Sequence, residues 1–304
     1  MTERTINNKI LSTKEFHDIY PYAPHFFNNN GNDMHYIDEG EGQPIIMVHG
    51  NPTWSFYFRR LVDKFSSKYR TIVPDHIGCG FSDKPGSERY NYILKNRVDD
   101  FTRFIEHFQF KEKIILVVHD WGGMIGLAWA IKNLDKIEKI IITNTSGFLL
   151  PHTKKFPLRL ALIKYVAPFA IPAILGINLF SVGALYIAAK KKLTKQIKKG
   201  LTAPYNSWKN RIATLKFVQD IPLNENDISY AIVKEVDDNI HKIKSLPILF
   251  LWGVQDFVFD INFLNKWKQR IPDAEYHIFK NSGHYIFEDK PLETLRLIKK
   301  FLED

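Results

Sequence analysis

The sequence predicts an α/β fold, a mostly parallel central sheet flanked by helices on both faces, with one helical insertion. Short β-branched apolar runs alternate with helical stretches over 34–147 and again from 247 onward, the rhythm of strand–helix–strand units. The alternation stops from Phe148 to about Asp227, a segment rich in Leu, Ala, Lys and Pro. A third observation is VVHDWGG, residues 117–123, which passes from a buried run directly into a helical one. A sharp strand-to-helix turn pushes its apical side chain out over the carboxyl edge of a sheet.

Taken in order, MHYID (34–38) and IIMV (45–48) read as strands, the second ending at His49-Gly50. TIVP (71–74) is the next, followed by the loop DHIGCGFSDKP, and 92–109 reads as a helix. KIILVV (113–118) is apolar and β-branched, hence a buried strand, and 121–131 a helix. IEKIIITN (137–144) and PILFLWG (247–253) are strands, 261–270 a helix, EYHIF a strand, and PLETLRLIKKFLED the closing helix. The core is therefore assigned to 1–147 and 228–304, and 148–227 to a cap. Function belongs on the loops at the carboxyl ends of the strands.

The chain has 304 residues, 45% hydrophobic and 25% charged, enough for one large core plus an insertion. The single cysteine, Cys79, excludes an internal disulfide and reads as a small packing residue. No CxxC or paired-His spacing points to a metal, and no cofactor is expected. The amino terminus, MTERTINNKILSTKE, lacks an apolar signal region, so a cytoplasmic protein is expected. The net charge is +9, with much of the excess in Lys190, Lys191, Lys192, Lys195, Lys198 and Lys199. That run reads first as a solvated helix face, alternatively as a contact for an acidic partner or membrane surface. Nucleic acid is not expected, because no aromatic-interleaved basic motif accompanies it. Tyr165 to Ala189 is uncharged and long enough to span a bilayer, but Pro168, Pro172, Gly176, Asn178 and Gly183 break it up. It is expected to form short apolar helices lining a pocket for a greasy small molecule.

Asp120 sits at the strand-to-helix turn, where it reads as a nucleophile, although an Asp there can also simply cap a helix. A carboxylate attacking saturated carbon makes an ester that can be resolved, whereas a hydroxyl would leave a dead-end ether. The residue type therefore points to substitution at an alkyl carbon. His284, in KNSGHYIFEDKP after the last strand, is the candidate base. Asp256, in the loop after PILFLWG, is the acid that would orient it, with Asp260 as runner-up. Asn144-Thr145 offers no carboxylate after the preceding strand. The backbone N–H groups of Asn51 and Trp121 are expected to face the nucleophile. The Asn51 amide and the Trp121 indole are expected as donors with no other partner in an apolar pocket. His49, His76 and His119 read as structural.

HGNPTWS, VVHDWGG, WGVQD and SGHY together resemble the haloalkane dehalogenases, over essentially the whole chain. The resemblance implies an α/β-hydrolase fold with a helical cap, Asp120 as nucleophile, His284 as base, Asp256 as acid, and Asn51 and Trp121 as halide-stabilising donors. Asn144 departs from the branch whose acid follows the strand before the cap. A narrower resemblance, through WSFYFRRLV, PDHIGCGFSDKP, RVDD, VVHDWGGMIG, APYNSWKNRIATLKFVQDIPL and WGVQDFVFD, is to the β-lactone decarboxylases of bacterial olefin biosynthesis. It implies a lactone with two long alkyl arms, a cis-alkene and carbon dioxide as products, and enzymes of an olefin pathway as partners. An epoxide hydrolase is a third reading; it would need cap tyrosines, for which Tyr165, Tyr186 and Tyr205 are available, though Asn51 in the HGNP turn speaks against it. A hydrolase fold kept as a ligand receptor is the non-enzymatic alternative.

Overall fold

The computed structural model describes residues 1–304. A hairpin of β1 (Glu3–Ile6) and β2 (Lys9–Ser12) stands apart from the main sheet. The main sheet holds β3 (His25–Asn29), β4 (Asn32–Glu39), β5 (Pro44–Val48), β6 (Arg70–Pro74), β7 (Ile114–Asp120), β8 (Ile137–Thr145), β9 (Ile248–Gly253) and β10 (Glu275–Phe279). Their order across it is β10-β9-β8-β7-β5-β6-β4-β3. Strands β5 to β10 run parallel, while β3 and β4 form an antiparallel edge. Asn30-Gly31, both at positive φ, folds β3 back on β4.

Helices cover both faces, so every residue of β5, β7 and β9 is buried and these strands read as unbroken apolar runs. Alternate side chains split into two cores. Val48, Leu116, Val118 and Phe250 meet α2 (Leu94–Phe108) and α3 (Trp121–Ala130) on one face. Met47, Ile115, Val117 and Leu251 share the other core with Leu61 and Val62 of α1 (Arg59–Phe65).

Between β8 and β9 the chain leaves the sheet for α4 (Leu158–Tyr165), α5 (Ala167–Ala170), a wider helical segment (Ile171–Gly176), α6 (Leu179–Ile187), α7 (Lys195–Thr202) and α8 (Ile212–Gln219). It returns through α9 (Tyr230–Asn239), and α10 (Ile261–Arg270), α11 (Ile286–Asp289) and α12 (Pro291–Glu303) complete the chain. The long uncharged stretch breaks where its prolines lie, Pro168 and Pro172 each starting a helical segment. No single helix is long and apolar enough to cross a membrane; α4 and the stretch Ala167–Gly176 after it reach that length and composition only together, bent by 98°.

Candidate active site

Asp120 ends β7 with φ 51° and ψ −128° and leads straight into α3. A non-glycine residue there is strained, and strain of this kind persists only where the surroundings over-determine it. Gly122 provides the close approach: a Cβ on it would lie 2.0 Å from the Val48 carbonyl oxygen of β5. The Thr145 hydroxyl donates to the Asp120 carbonyl from the neighbouring strand. The Asp120 carboxylate accepts the backbone N–H of Asn51 at 2.6 Å and that of Trp121. Burial pushes its carboxyl up to about 6, against the charge of His284 and the two backbone donors, which pull it down.

His284 follows β10 and lines the same cavity as Asp120. Its Nδ1 lies 2.7 Å from Asp256 Oδ2. The ring is held between Phe259, near-parallel to it at 5.9 Å, and His119 at 4.6 Å. Burial pulls the imidazole down, but the Asp256 charge, its hydrogen bond and the Asp120 charge outweigh burial and raise it above its ordinary value. Asp260, the runner-up acid, is engaged elsewhere. It pairs with Lys154 at 2.6 Å and caps α10 through the Asn262 N–H.

Asn144 has a part that its residue type hid. The β7–β8 register slips at this point, His119 facing Thr143 and Asp120 facing Thr145, so Asn144 is the extra residue, with φ 27°. Bulges re-aim side chains, and Asn tolerates positive φ. Its amide therefore crosses to β9, donating to the Gly253 carbonyl at 2.9 Å and Asp256 Oδ2 at 3.1 Å and accepting the Gly253 N–H at 2.9 Å. At the end of β8 an amide thus holds the acid that the next strand supplies.

The expected donor pair is half corrected. The Trp121 side chain lines the cavity, and its indole N–H makes no bond within the protein. Asn51 also lines the cavity, but its Nδ2 donates to the Thr214 carbonyl of α8 at 3.0 Å. The amide was expected without a partner; the helix packing over it supplies one, leaving the second N–H of the same nitrogen for a ligand. His49, His76 and His119 are fully buried against backbone groups or one another, as expected. Arg97, in the RVDD stretch, is a buried cation that sequence reasoning passed over. It pairs with Asp220 at 3.2 Å and lies 3.6 Å from the Phe217 ring, which packs on Trp121.

The loop carrying His284 is fastened on both sides. Glu288 receives Arg59 through two bonds of 2.5 and 2.9 Å, tying α11 to the start of α1. Asp289 accepts the backbone N–H groups of Lys190, Lys191 and Gly283 at 2.7 to 2.8 Å, tying it to the end of α6. Between the inserted helices and the sheet lies a cavity of about 430 Å³, within the ordinary range for small-molecule sites. Of its 34 lining residues 25 are hydrophobic, and Asp120, His284, Asn51 and Trp121 lie together among them. The lining thus suits an apolar molecule and sets one buried carboxylate, with donors beside it, against it. None of Tyr165, Tyr186 and Tyr205 lines the cavity; the first two are exposed and the third lies 3.4 Å from the Thr53 carbonyl.

The alpha/beta hydrolase fold family matches residues 43–169 and 178–291. The chain is 46% identical to the cis-3-alkyl-4-alkyloxetan-2-one decarboxylase of Shewanella oneidensis over 94% of this chain and 90% of that one. It is 38% identical to the protein of the same name from Xanthomonas campestris pv. campestris, over 89% and 92%. In fold it is similar to the haloalkane dehalogenase DatA from Agrobacterium tumefaciens C58, with TM-score 0.83 at 22% identity, covering 92% of this chain and 96% of that one.

Proposed function

Because the chain belongs to the alpha/beta hydrolase fold family and, within it, to the family of the cis-3-alkyl-4-alkyloxetan-2-one decarboxylases, we propose that it converts a cis-dialkyl β-lactone to a cis-alkene and carbon dioxide. The observation that carries this reading is a buried Asp120 carboxylate facing an apolar cavity, in a chain whose likeness to those relatives runs through the inserted helices as well as the core. We take 148–227 as a cap that, with the core, encloses two alkyl arms.

An Asp120 oxygen attacks the ring carbon bonded to the ring oxygen. That carbon–oxygen bond breaks, and its electron pair leaves on a tethered carboxylate. The Trp121 indole N–H and the second amide N–H of Asn51 hold this anion, which forms only as the bond breaks. The carbon–carbon bond to the carboxylate then cleaves. Its electrons form the alkene and expel Asp120 as a carboxylate, releasing carbon dioxide. No water and no net proton enter the balance. Attack inverts the carbon, and an anti elimination follows; together they keep the two alkyl arms on one side, giving the cis-alkene.

The His284–Asp256 pair favours a second reading, haloalkane hydrolysis. There the same attack expels halide, and His284 activates water against the Asp120 ester. For an epoxide the cap tyrosines that reading needs, Tyr165, Tyr186 and Tyr205, lie away from the cavity. The test is to incubate the protein with a cis-dialkyl β-lactone and, separately, with 1,2-dibromoethane and 1-iodohexane. The proposal expects alkene from the lactone at many turnovers per enzyme. Halide release with no alkene would reverse the order of the two readings.

A further inference from the structure

The surface charge is divided along the chain. Residues 148–227 carry 13 Lys and Arg against 3 Asp and Glu, leaving 29 against 30 in all the rest. The whole positive excess therefore belongs to the segment that covers the cavity. Exposed apolar residues are divided in the same way. Of 18 large hydrophobic side chains left exposed, 11 lie between Leu158 and Trp208. Leu158, Ile177 and Tyr186 are 68 to 74% exposed. They belong to helices that pack on one another, α4 to α5 to the Ile171–Gly176 segment to α6. Trp208 comes within 3.8 Å of where a Cβ of Gly176 would lie, next to Ile177.

The two properties meet at a named contact. Lys198 lies 4.5 Å from the exposed Tyr186 ring. A lysine with an apolar stem beside a tyrosine that presents one wet and one greasy end is the chemistry of a membrane interface. An exposed apolar patch also marks a contact surface in general; the predominance of positive charge in the segment that carries this one, 13 Lys and Arg against 3 Asp and Glu, selects an anionic occupant. Leu162, Phe169 and Leu179 are at once exposed and part of the cavity lining, so the cavity reaches the surface within this patch.

We propose that the α4–α6 face, with the lysines of the α6–α7 region, docks on an anionic lipid bilayer so that the cavity opens toward the acyl chains. Docking stands on the surface alone. That a dialkyl lactone enters by this route rests on the function proposed above, and it accounts for how a water-insoluble molecule reaches Asp120. Burying several apolar side chains and placing cations near the headgroups add together.

The full chain is tested by flotation with vesicles of phosphatidylglycerol and phosphatidylethanolamine, and with phosphatidylcholine alone. The protein should float with the anionic vesicles, weakly with the neutral ones, and lose binding as salt rises. Replacing Lys192, Lys195 and Lys198 by Gln should weaken partitioning by about fivefold per charge. Leu158→Ser with Ile177→Ser and Tyr186→Ser should abolish flotation while leaving turnover of a dissolved short-chain lactone unchanged. Absence of flotation by the wild type, or variants that bind as tightly as it does, overturns the proposal. So does a concentration-dependent dimer that the same serine substitutions dissociate, which would assign the face to a second copy. Flotation without lactone turnover would sink the function proposed above and leave the docking intact; turnover without flotation would do the reverse.

Discussion

Lowering the pH tests the environment of Asp120. In the proposed reaction the attacking species is the carboxylate, and burial pushes this carboxyl up to about 6. An ordinary aspartate, near 3.9, stays ionised down to about pH 5. At pH 5 Asp120 is about one unit below its midpoint, so roughly a tenth remains ionised and kcat/KM should fall about tenfold relative to pH 8. His284 is already raised above its ordinary value, and a water-free decarboxylation tolerates its protonated form. No second loss is therefore expected between about pH 7 and pH 6. The assay is initial alkene release across that range at constant ionic strength, with near-ultraviolet circular dichroism confirming an intact fold. The direction of a second effect is also fixed. The His284 charge is the largest influence holding Asp120 down, so His284→Ala should move the acid limb to higher pH. A profile flat from pH 8 to pH 5 would refute the reasoning, as would a limb that His284→Ala leaves in place.

Trp121→Phe should slow the chemical step by roughly a hundred- to a thousandfold in single-turnover kinetics, the range for losing a preorganised donor. Asn51→Ala should do the same and also lower stability by about 1 kcal/mol in urea unfolding, because its Thr214 bond is lost. Asn144→Ala removes a donor to Asp256 and both bonds to Gly253, and a loss of about 3 kcal/mol is expected in the same unfolding experiment. With 1-iodohexane, His284→Ala should trap an alkyl group on Asp120, seen as a mass increase of the intact protein; with a lactone it should still release alkene without stoichiometric trapping.

The centre of the parallel sheet was legible because β5, β7 and β9 are short apolar runs buried on both faces. The edge was not. β1, β3 and α1 are short, and ERTI or HFFNN carries no clean alternation, since pairing to a neighbour rather than burial makes these strands. The strand-to-helix turn at Asp120 was legible because its parts are contiguous in the chain: an apolar run, then Asp120, then Gly122 and Gly123 opening a helix. Asn144 was not, because its part depends on a one-residue register slip that exists only once β7 and β8 are paired. The Thr214 bond to Asn51 was hidden for a similar reason: it spans 163 residues and needs α8 folded over the HGNP turn. The broken nature of Tyr165–Ala189 was visible in its prolines, but the side left bare was not, because exposure belongs to the packed helices.

The central claim is that Asp120 is regenerated by loss of carbon dioxide and not by water. The direct measurement is to turn over a cis-dialkyl β-lactone in water enriched in oxygen-18, then determine the mass of the peptide containing Asp120. Many alkenes per enzyme with no label in Asp120 is the predicted result. Oxygen-18 incorporated into the Asp120 carboxylate as alkene accumulates would contradict it.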